Sequence, residues 1–208
     1  MLSQYTRGIE LNSLTLTWSR HRLGSFLFQR IQKDGKDSRF DTLKPYFFRF
    51  FNVWSIQGLW VFLTALPVYT LNSSEDTRPL TFVDLLGLCL WVFGFALEVT
   101  ADRQKSEWRD NPVNKGRFIT VGLWGLSRHP NYFGESTLWL GMFIVSTPIL
   151  HGWQWICAIS PIFVVLLLTK VSGVPLLEKK ADEKWGDEEE YQKYKRETPI
   201  FIPKLPSM

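Results

Sequence analysis

The sequence predicts an all-α, multi-pass transmembrane helical bundle of about four spans, and three observations carry that expectation. Four apolar runs, Phe47–Leu71, Leu80–Ala101, Tyr132–Leu150 and Trp153–Val171, each come close to the ~20 residues that cross a bilayer. The basic residues alternate by connection. Arg103, Lys105, Arg109, Lys115, Arg117 and Arg128 lie in Asp102–Asn131, whereas Asn72–Pro79 carries Arg78 and the turn at His151 carries none. Ten Trp and sixteen Phe give a heavy aromatic load, yet mean hydropathy is only −0.06 because very charged connectors separate the oily stretches.

The segments before the first run and after the fourth are also rich in Lys and Arg. By the positive-inside rule both termini and the large central connection are therefore expected in the cytosol, with the endoplasmic reticulum as the default membrane. The net charge of +4 and pI near 9.1 are explained by this bias. No basic stripe interleaves with a polar fold, so nucleic acid is excluded as a partner. Cys89 and Cys157 fall inside apolar runs and make neither a metal spacing nor a disulfide framework. The N-terminus lacks the pattern of a secretory signal, so insertion is expected to use the internal runs.

Taken in order, residues 1–46 form an interfacial or cytosolic segment of a single membrane domain, 1–208. Within it Leu11–Phe28 sets Leu14, Leu16, Trp18, Leu23, Phe26 and Leu27 among Arg20, His21 and Arg22, as an amphipathic interfacial helix would. Arg30–Asp41 is a solvated connector, or a lid using Lys33, Lys36 and Arg39. Residues 47–171 hold the four spans. Pro161 is expected to kink the fourth. The third and fourth are joined so tightly, around Pro148 and Gly152, that they must form an antiparallel hairpin. Residues 172–208 are too polar to cross and form a cytosolic tail. Leu176, Leu177, Trp185, Tyr191 and Tyr194 could lay an apolar edge along the bilayer, and Asp187–Glu190 is a solvated acidic run.

The candidate chemistry gathers at the cytosolic edge of the spans. Gly122–Gly141, GLWGLSRHPNYFGESTLWLG, runs from a Gly-rich polar turn into the third span, with Pro130 suited to a first helical turn. Helical periodicity puts Asn131, Tyr132, Glu135 and Trp139 on one face. A carboxylate there costs roughly 2.5–3.5 kcal/mol unless it meets a partner or a watery cavity, so the stripe is expected to line a site. Glu98, Asp102, Lys105 and Arg109 fall at i, i+4, i+7 and i+11 and share a second face. The alternative is an ion-pair ladder worth a few tenths of a kcal/mol per pair. The tail adds Glu178, Lys179, Lys180 and Asp182. Rim cations Lys105, Arg109, Arg128 and Lys180 suit phosphates. A deeper acid and phenol suit proton transfer. There is no GxGxxG, Walker, HExxH or GxSxG motif and no zinc spacing, so no metal is expected.

The blocks GLWGLSRHPNYFGE, ADRQK, SGVPLLEKKA and Tyr-x-x-Tyr followed by TPIFIP resemble the membrane family of the steroid 5α-reductase C-terminal domain. That family is related to the sterol reductases and the isoprenylcysteine carboxyl methyltransferases. The similarity covers the chain from about Trp18 onward. It implies that Asn131–Glu135 belongs to an NADPH site, that Asp102 and Arg109 meet the cofactor, and that Glu178, Lys180 and Tyr194 do so from the tail. Glu98, Lys105, Arg128 and His129 complete the expected cofactor-binding set. The implied activity is NADPH-dependent reduction of a carbon–carbon double bond in a steroid-like or other lipid, with Tyr132 or Glu135 as proton donor or carbonyl-polarising group. The steroid reductases keep carbonyl-binding groups in spans ahead of this region, so the cofactor half is matched more fully than the substrate half. Two alternatives stand beside this one: an S-adenosylmethionine-dependent methyltransferase, because those enzymes share a His-Pro-x-Tyr-x-Gly turn, and a non-catalytic membrane scaffold.

Overall fold

The structure is a computed structural model that describes residues 28, 32, 45–75 and 78–205. The expected interfacial helix Leu11–Phe28, apart from Phe28, and the connector with Lys33, Lys36 and Arg39 lie outside the described residues. Among the described residues every regular element is helical. The chain divides into two compact units, Met1–Pro79 and Leu80–Met208.

The first unit contains α1 (Phe47–Thr64) and α2 (Leu66–Ser73), bent by 54°. The bend follows from Pro67. Its ring cannot sit against the carbonyl one turn back and it donates no hydrogen bond, so α1 ends at Ala65 and a new helix starts. The α1 surface exposes Phe47, Phe48, Phe51 and Trp54. Water would not tolerate so contiguous an apolar face, but lipid does.

The second unit begins with α3 (Phe82–Asp110), whose 29 residues reach about 44 Å. Its start accounts for a charge that stands within the second apolar run. The Asp84 carboxylate accepts from both the backbone N–H and the hydroxyl of Thr81, at 2.7 Å each, and closes a capping box. The helix runs beyond Ala101, where the apolar run stops, and carries the Glu98–Arg109 stripe on a continuous backbone until Asn111–Pro112 ends it.

α4 (Pro130–Ser146) starts at Pro130 as the sequence predicts. It packs along α3 through two glycines on each helix, spaced two turns apart. A Cβ on Gly94 would lie 2.5 Å from the Gly134 carbonyl oxygen, and one on Gly141 would lie 2.6 Å from that of Gly87. The pairing 87 with 141 and 94 with 134 makes the helices antiparallel. Between lipid-facing helices there is little hydrophobic gain from association, so backbone approach at small residues supplies the packing.

The turn Thr147–Ile149 and the 3₁₀ segment Gly152–Ala158 lead into α5 (Ile159–Leu166), which packs on α4 as the expected hairpin. Pro161 stands just past a change from 3₁₀ to α geometry at Ala158–Ile159, and with no N–H it cannot donate to the Cys157 carbonyl one turn back. A second departure comes at a π-helical turn, Leu167–Val171, where the Ser172 N–H reaches back to Leu167. Then follow α6 (Val174–Trp185) and α7 (Glu189–Glu197).

Two helical stretches, Phe82–Asp110 and Gly152–Trp185, are long and apolar enough to cross a membrane, and the bent α1–α2 pair makes a third if it is one span. The expected third run is the shortest, since α4 has 17 residues.

Candidate functional site

The loop 111–129 is shaped by α3 before it reaches the site. Gly122 takes φ +61°, and a Cβ there would meet the Gln104 side chain at 2.6 Å. The same Gln104 carbonyl oxygen accepts from the Leu123 N–H at 2.9 Å. Trp124 then turns inward, donates its indole N–H to the Ala101 carbonyl at 3.0 Å, and forms a buried cluster with Ala101 and Ile119. Lys105 lies over its ring at 4.4 Å.

This anchoring delivers Ser127, Arg128 and His129 to the mouth of α4, where the tail meets them. The Ser127 hydroxyl donates to the Phe201 carbonyl at 2.8 Å. The Arg128 N–H donates to the Pro199 carbonyl at 2.9 Å, and the Lys204 N–H to that of Leu126 at 2.9 Å. Glu178 of α6 takes both basic neighbours, pairing one oxygen with the Arg128 guanidinium and the other with His129 Nε2 at 2.8 Å. Lys195 of α7 adds a third cation, 3.9 Å from Glu178 and 2.6 Å from Asp182. The Tyr194 hydroxyl donates to the Trp124 carbonyl at 2.6 Å. Burial pushes the Tyr194 phenol above its ordinary range, with Arg128 opposing and Glu178 and Tyr191 adding to the rise. It therefore stays a donor at any physiological pH.

Deeper in, the Asn131 amide donates to Asp102 at 3.2 Å, joining the two polar stripes read from the sequence. Tyr132 stacks on His129 with ring centroids 5.6 Å apart and planes 10° from parallel. Asp102 and Glu135 both lie close enough to Tyr132 to act on it electrostatically. Glu98 sits where α4 approaches most closely: a Cβ on Gly134 would be 3.1 Å from the Glu98 Cβ. Tyr132 also needs Gly173, since a Cβ there would fall 2.9 Å from the phenol ring.

The expected site residues thus resolve into three groups. Glu98, Asp102, Lys105, Asn131, Tyr132 and Glu135 line facing stretches of α3 and α4. Arg128, His129, Glu178 and Tyr194 engage one another and the loop backbone, and the His129–Tyr132 stack links them to the first group. Arg109 and Lys180 point outward and are exposed. The tail aromatics correct an expectation. Trp185, Tyr191 and Tyr194 do not offer an edge to the bilayer. They pack on Phe118 at 5.2–5.8 Å, and Trp185 donates to the Gly116 carbonyl. Folding the tail back buries these rings against protein. Asp187–Glu190 is exposed as expected.

Sequence reasoning passed over Gln104, Trp124, Ser127 and Lys195, which position the site. It also passed over the two glycine pairs. Their signal was present in the equal seven-residue spacing of Gly87/Gly94 and Gly134/Gly141.

Three buried polar atoms in this cluster find no hydrogen-bond partner among the described residues: Arg128 Nε, His129 Nδ1 and Asn131 Oδ1. Buried polar atoms are rarely left so. Two ring or guanidinium nitrogens and an amide oxygen, within four residues of each other, suit a polar ligand with anionic and hydrogen-bonding groups.

Comparison with known proteins places this geometry in context. The chain belongs to the family described as protein of unknown function (DUF1295). The match covers residues 2–198, and the family is steroid 5α-reductase-like. An uncharacterized protein of Schizosaccharomyces pombe is 26% identical over 220 residues, which cover 93% of this chain and 60% of that protein. A Delta(14)-sterol reductase of Arabidopsis thaliana is 28% identical over 127 residues, 55% of this chain and 30% of the reductase. A probable O-methyltransferase of Ustilaginoidea virens is 33% identical over 66 residues, 32% of this chain and 23% of that protein. The chain therefore matches less than two thirds of the length of each of these relatives. No solved structure matches it.

Proposed function

We propose that this DUF1295 protein is a multi-pass membrane reductase that uses NADPH to reduce a carbon–carbon double bond in a steroid-like or other lipid. The observation that carries this is the trio of unpartnered buried atoms on Arg128, His129 and Asn131, set between exposed cations and a deep phenol–carboxylate pair. A phosphate-bearing cofactor would engage Arg109 and Lys180 at the rim, where guanidinium and ammonium groups suit phosphate oxygens. Asn131, held by Asp102, and His129, held by Glu178, would meet its uncharged part. NADPH supplies the hydride in such a reduction. What remains for the chain is to orient the lipid, exclude water and give a proton to the second carbon. Tyr132 and Glu135 are the groups placed for that transfer. The longer match to the Delta(14)-sterol reductase and the Glu98–Asp102–Lys105 stripe support reduction over other chemistries.

A methyltransferase using S-adenosylmethionine is favoured by one specific observation, the 33% identity to the probable O-methyltransferase. Binding titrations on the purified protein in lipid nanodiscs separate the two. NADPH quenching of tryptophan fluorescence with no response to adenosylmethionine is the expected result, and the opposite pattern overturns it. Lipid profiling of a knockout beside NADPH oxidation over enone lipids then identifies the substrate. If Arg109→Ala and Glu135→Ala both rescue every knockout phenotype, the protein is a scaffold and not an enzyme. In this assignment four spans cross the membrane, with both termini and the cofactor edge in the cytosol.

A further inference from the structure

A second concave surface lies on the other side of α4. At 3.6 residues per turn Phe133, Thr137 and Leu140 face nearly opposite to Asn131 and Glu135. With Ser136 and Phe143 they form one wall of a groove of about 510 Å³. Residues of α5 and the turn before it, among them Pro161, Ile162 and Val165, form the other. The volume is in the range of small-molecule sites. From Phe133 to Phe143 the wall runs ~15 Å along the helix.

The groove has a built end. Phe201 of the tail closes it, held by the Ser127 hydroxyl on its carbonyl and by edge contact with Phe133 at 5.8 Å. No ionisable side chain among the described residues lines it. Two hydroxyls do, and they differ. Thr137 is satisfied by the Phe133 carbonyl at 2.8 Å. Ser136, only 6% exposed, has no partner for its hydroxyl among the described residues. It stands one turn from the closed end. A serine in a helix ordinarily returns its proton to the carbonyl one turn back. Buried in carbon without doing so, it leaves a hydrogen-bonding position open at one end of an uncharged slot.

We infer that this α4–α5 groove binds an uncharged lipid alcohol, its hydroxyl on Ser136 beside Phe201 and its apolar body lying along α4 toward Phe143. An alcohol can accept the Ser136 proton or donate its own to the serine oxygen, so it gives the hydroxyl a hydrogen-bond partner without bringing a charge. A phospholipid does not fit, because its charged head would meet no counter-charge and would lose its hydration without compensation. The inference is independent of the reductase assignment, since the groove shares no residue with the Asp102–Asn131 side of α4.

The test uses the full chain in phosphatidylcholine nanodiscs with a diazirine-bearing hexadecanol as photoprobe. Labelling is expected within 133–143 and 158–166, and unlabelled hexadecanol should compete more strongly than hexadecane. Ser136→Ala should weaken binding by about three- to tenfold, the range a single neutral hydrogen bond supports. Ile162→Trp, which fills the slot, should abolish labelling while helical circular dichroism and NADPH binding stay unchanged. Leu140→Trp serves the same purpose if the first variant folds poorly. Labelling confined to other helices, equal competition by hexadecane, or unchanged labelling in the filled variants each overturns the inference. So does a disulfide-linked dimer of Leu140→Cys in a Cys89→Ser background, because a second copy of the chain would then be the occupant.

Discussion

The α3–α4 pair and the loop–tail cluster lie in the same unit but are held by opposite means. Between the helices, Gly87, Gly94, Gly134 and Gly141 let backbone touch backbone, and little directional chemistry is needed. At the polar end, Ser127, Arg128, His129, Glu178 and Tyr194 are locked by hydrogen bonds and charge, over sequence separations of up to 74 residues. The difference follows the surroundings. In a lipid-facing segment van der Waals approach gives association. Where water competes, a long connection back from the tail needs buried hydrogen bonds, and Glu178 and Tyr194 supply them. The apolar pair sets the position of the polar face, and the polar clasp sets its shape.

The largest effects should come from forcing the helix pair apart. Gly94→Val or Gly134→Val would put side-chain atoms where the facing backbone lies within 3 Å. Overpacking of this kind costs ~1–3 kcal/mol or more even where neighbours can move, and here the neighbour is main chain. Loss of the monodisperse peak in size-exclusion chromatography and a collapse of thermal stability are expected. Wild-type stability in either variant would break the pairing of 87 with 141 and 94 with 134.

Glu178→Ala should come next. It strands Arg128 and His129, whose side chains are only 12% and 6% exposed, and stranding a buried charge costs roughly 3–5 kcal/mol at most. A thermal shift together with lost NADPH binding is expected, and Glu178→Gln should recover part of the stability. Lys180→Ala sharpens the contrast, because Lys180 is exposed and belongs to the rim. It should leave the melting curve unchanged while raising the NADPH dissociation constant by up to about fivefold, as loss of one exposed ion pair would. If both variants behaved alike, the clasp and the rim would not be separate devices.

Much of this architecture was legible in the sequence, and what was not has identifiable causes. Pro130 as a helix start and the tight turn around Pro148 and Gly152 followed from local periodicity and turn chemistry, whereas the bond between Asn131 and Asp102 that joins the two polar stripes could not be read from either stripe alone. The role of Asp84 was not legible, because a capping box looks like a stray charge until Thr81 is placed three residues ahead of it. The tail was read as lying on the bilayer because Trp185 and Tyr191 give an amphipathic pattern whichever surface they meet. Phe118, far away in sequence, decides that they face protein. Arg128 and Glu178 were both identified as site residues, yet nothing local could show that they would bind each other.

The smallest effect, and the most selective for the clasp, belongs to Tyr194. Its hydroxyl holds the Trp124 carbonyl, and Tyr194→Phe should cost ~1 kcal/mol, the net value of one neutral hydrogen bond. The pH dependence distinguishes that loss from a packing defect. The phenol titrates higher in the folded chain than in the unfolded one, chiefly through burial. The native state therefore holds this proton more tightly, and the associated stability is fully present below the unfolded value of about 10. As pH rises above that value toward the folded one, the stabilisation is progressively lost. Denaturation midpoints measured from pH 8 to 11 should fall more steeply for the wild type than for Tyr194→Phe, so that the two curves converge at the alkaline end. Parallel curves would mean that the Tyr194 hydroxyl ionises as easily folded as unfolded, and that it adds nothing to the Glu178, Ser127, Arg128 and Lys204 contacts that hold the tail to the 123–129 loop.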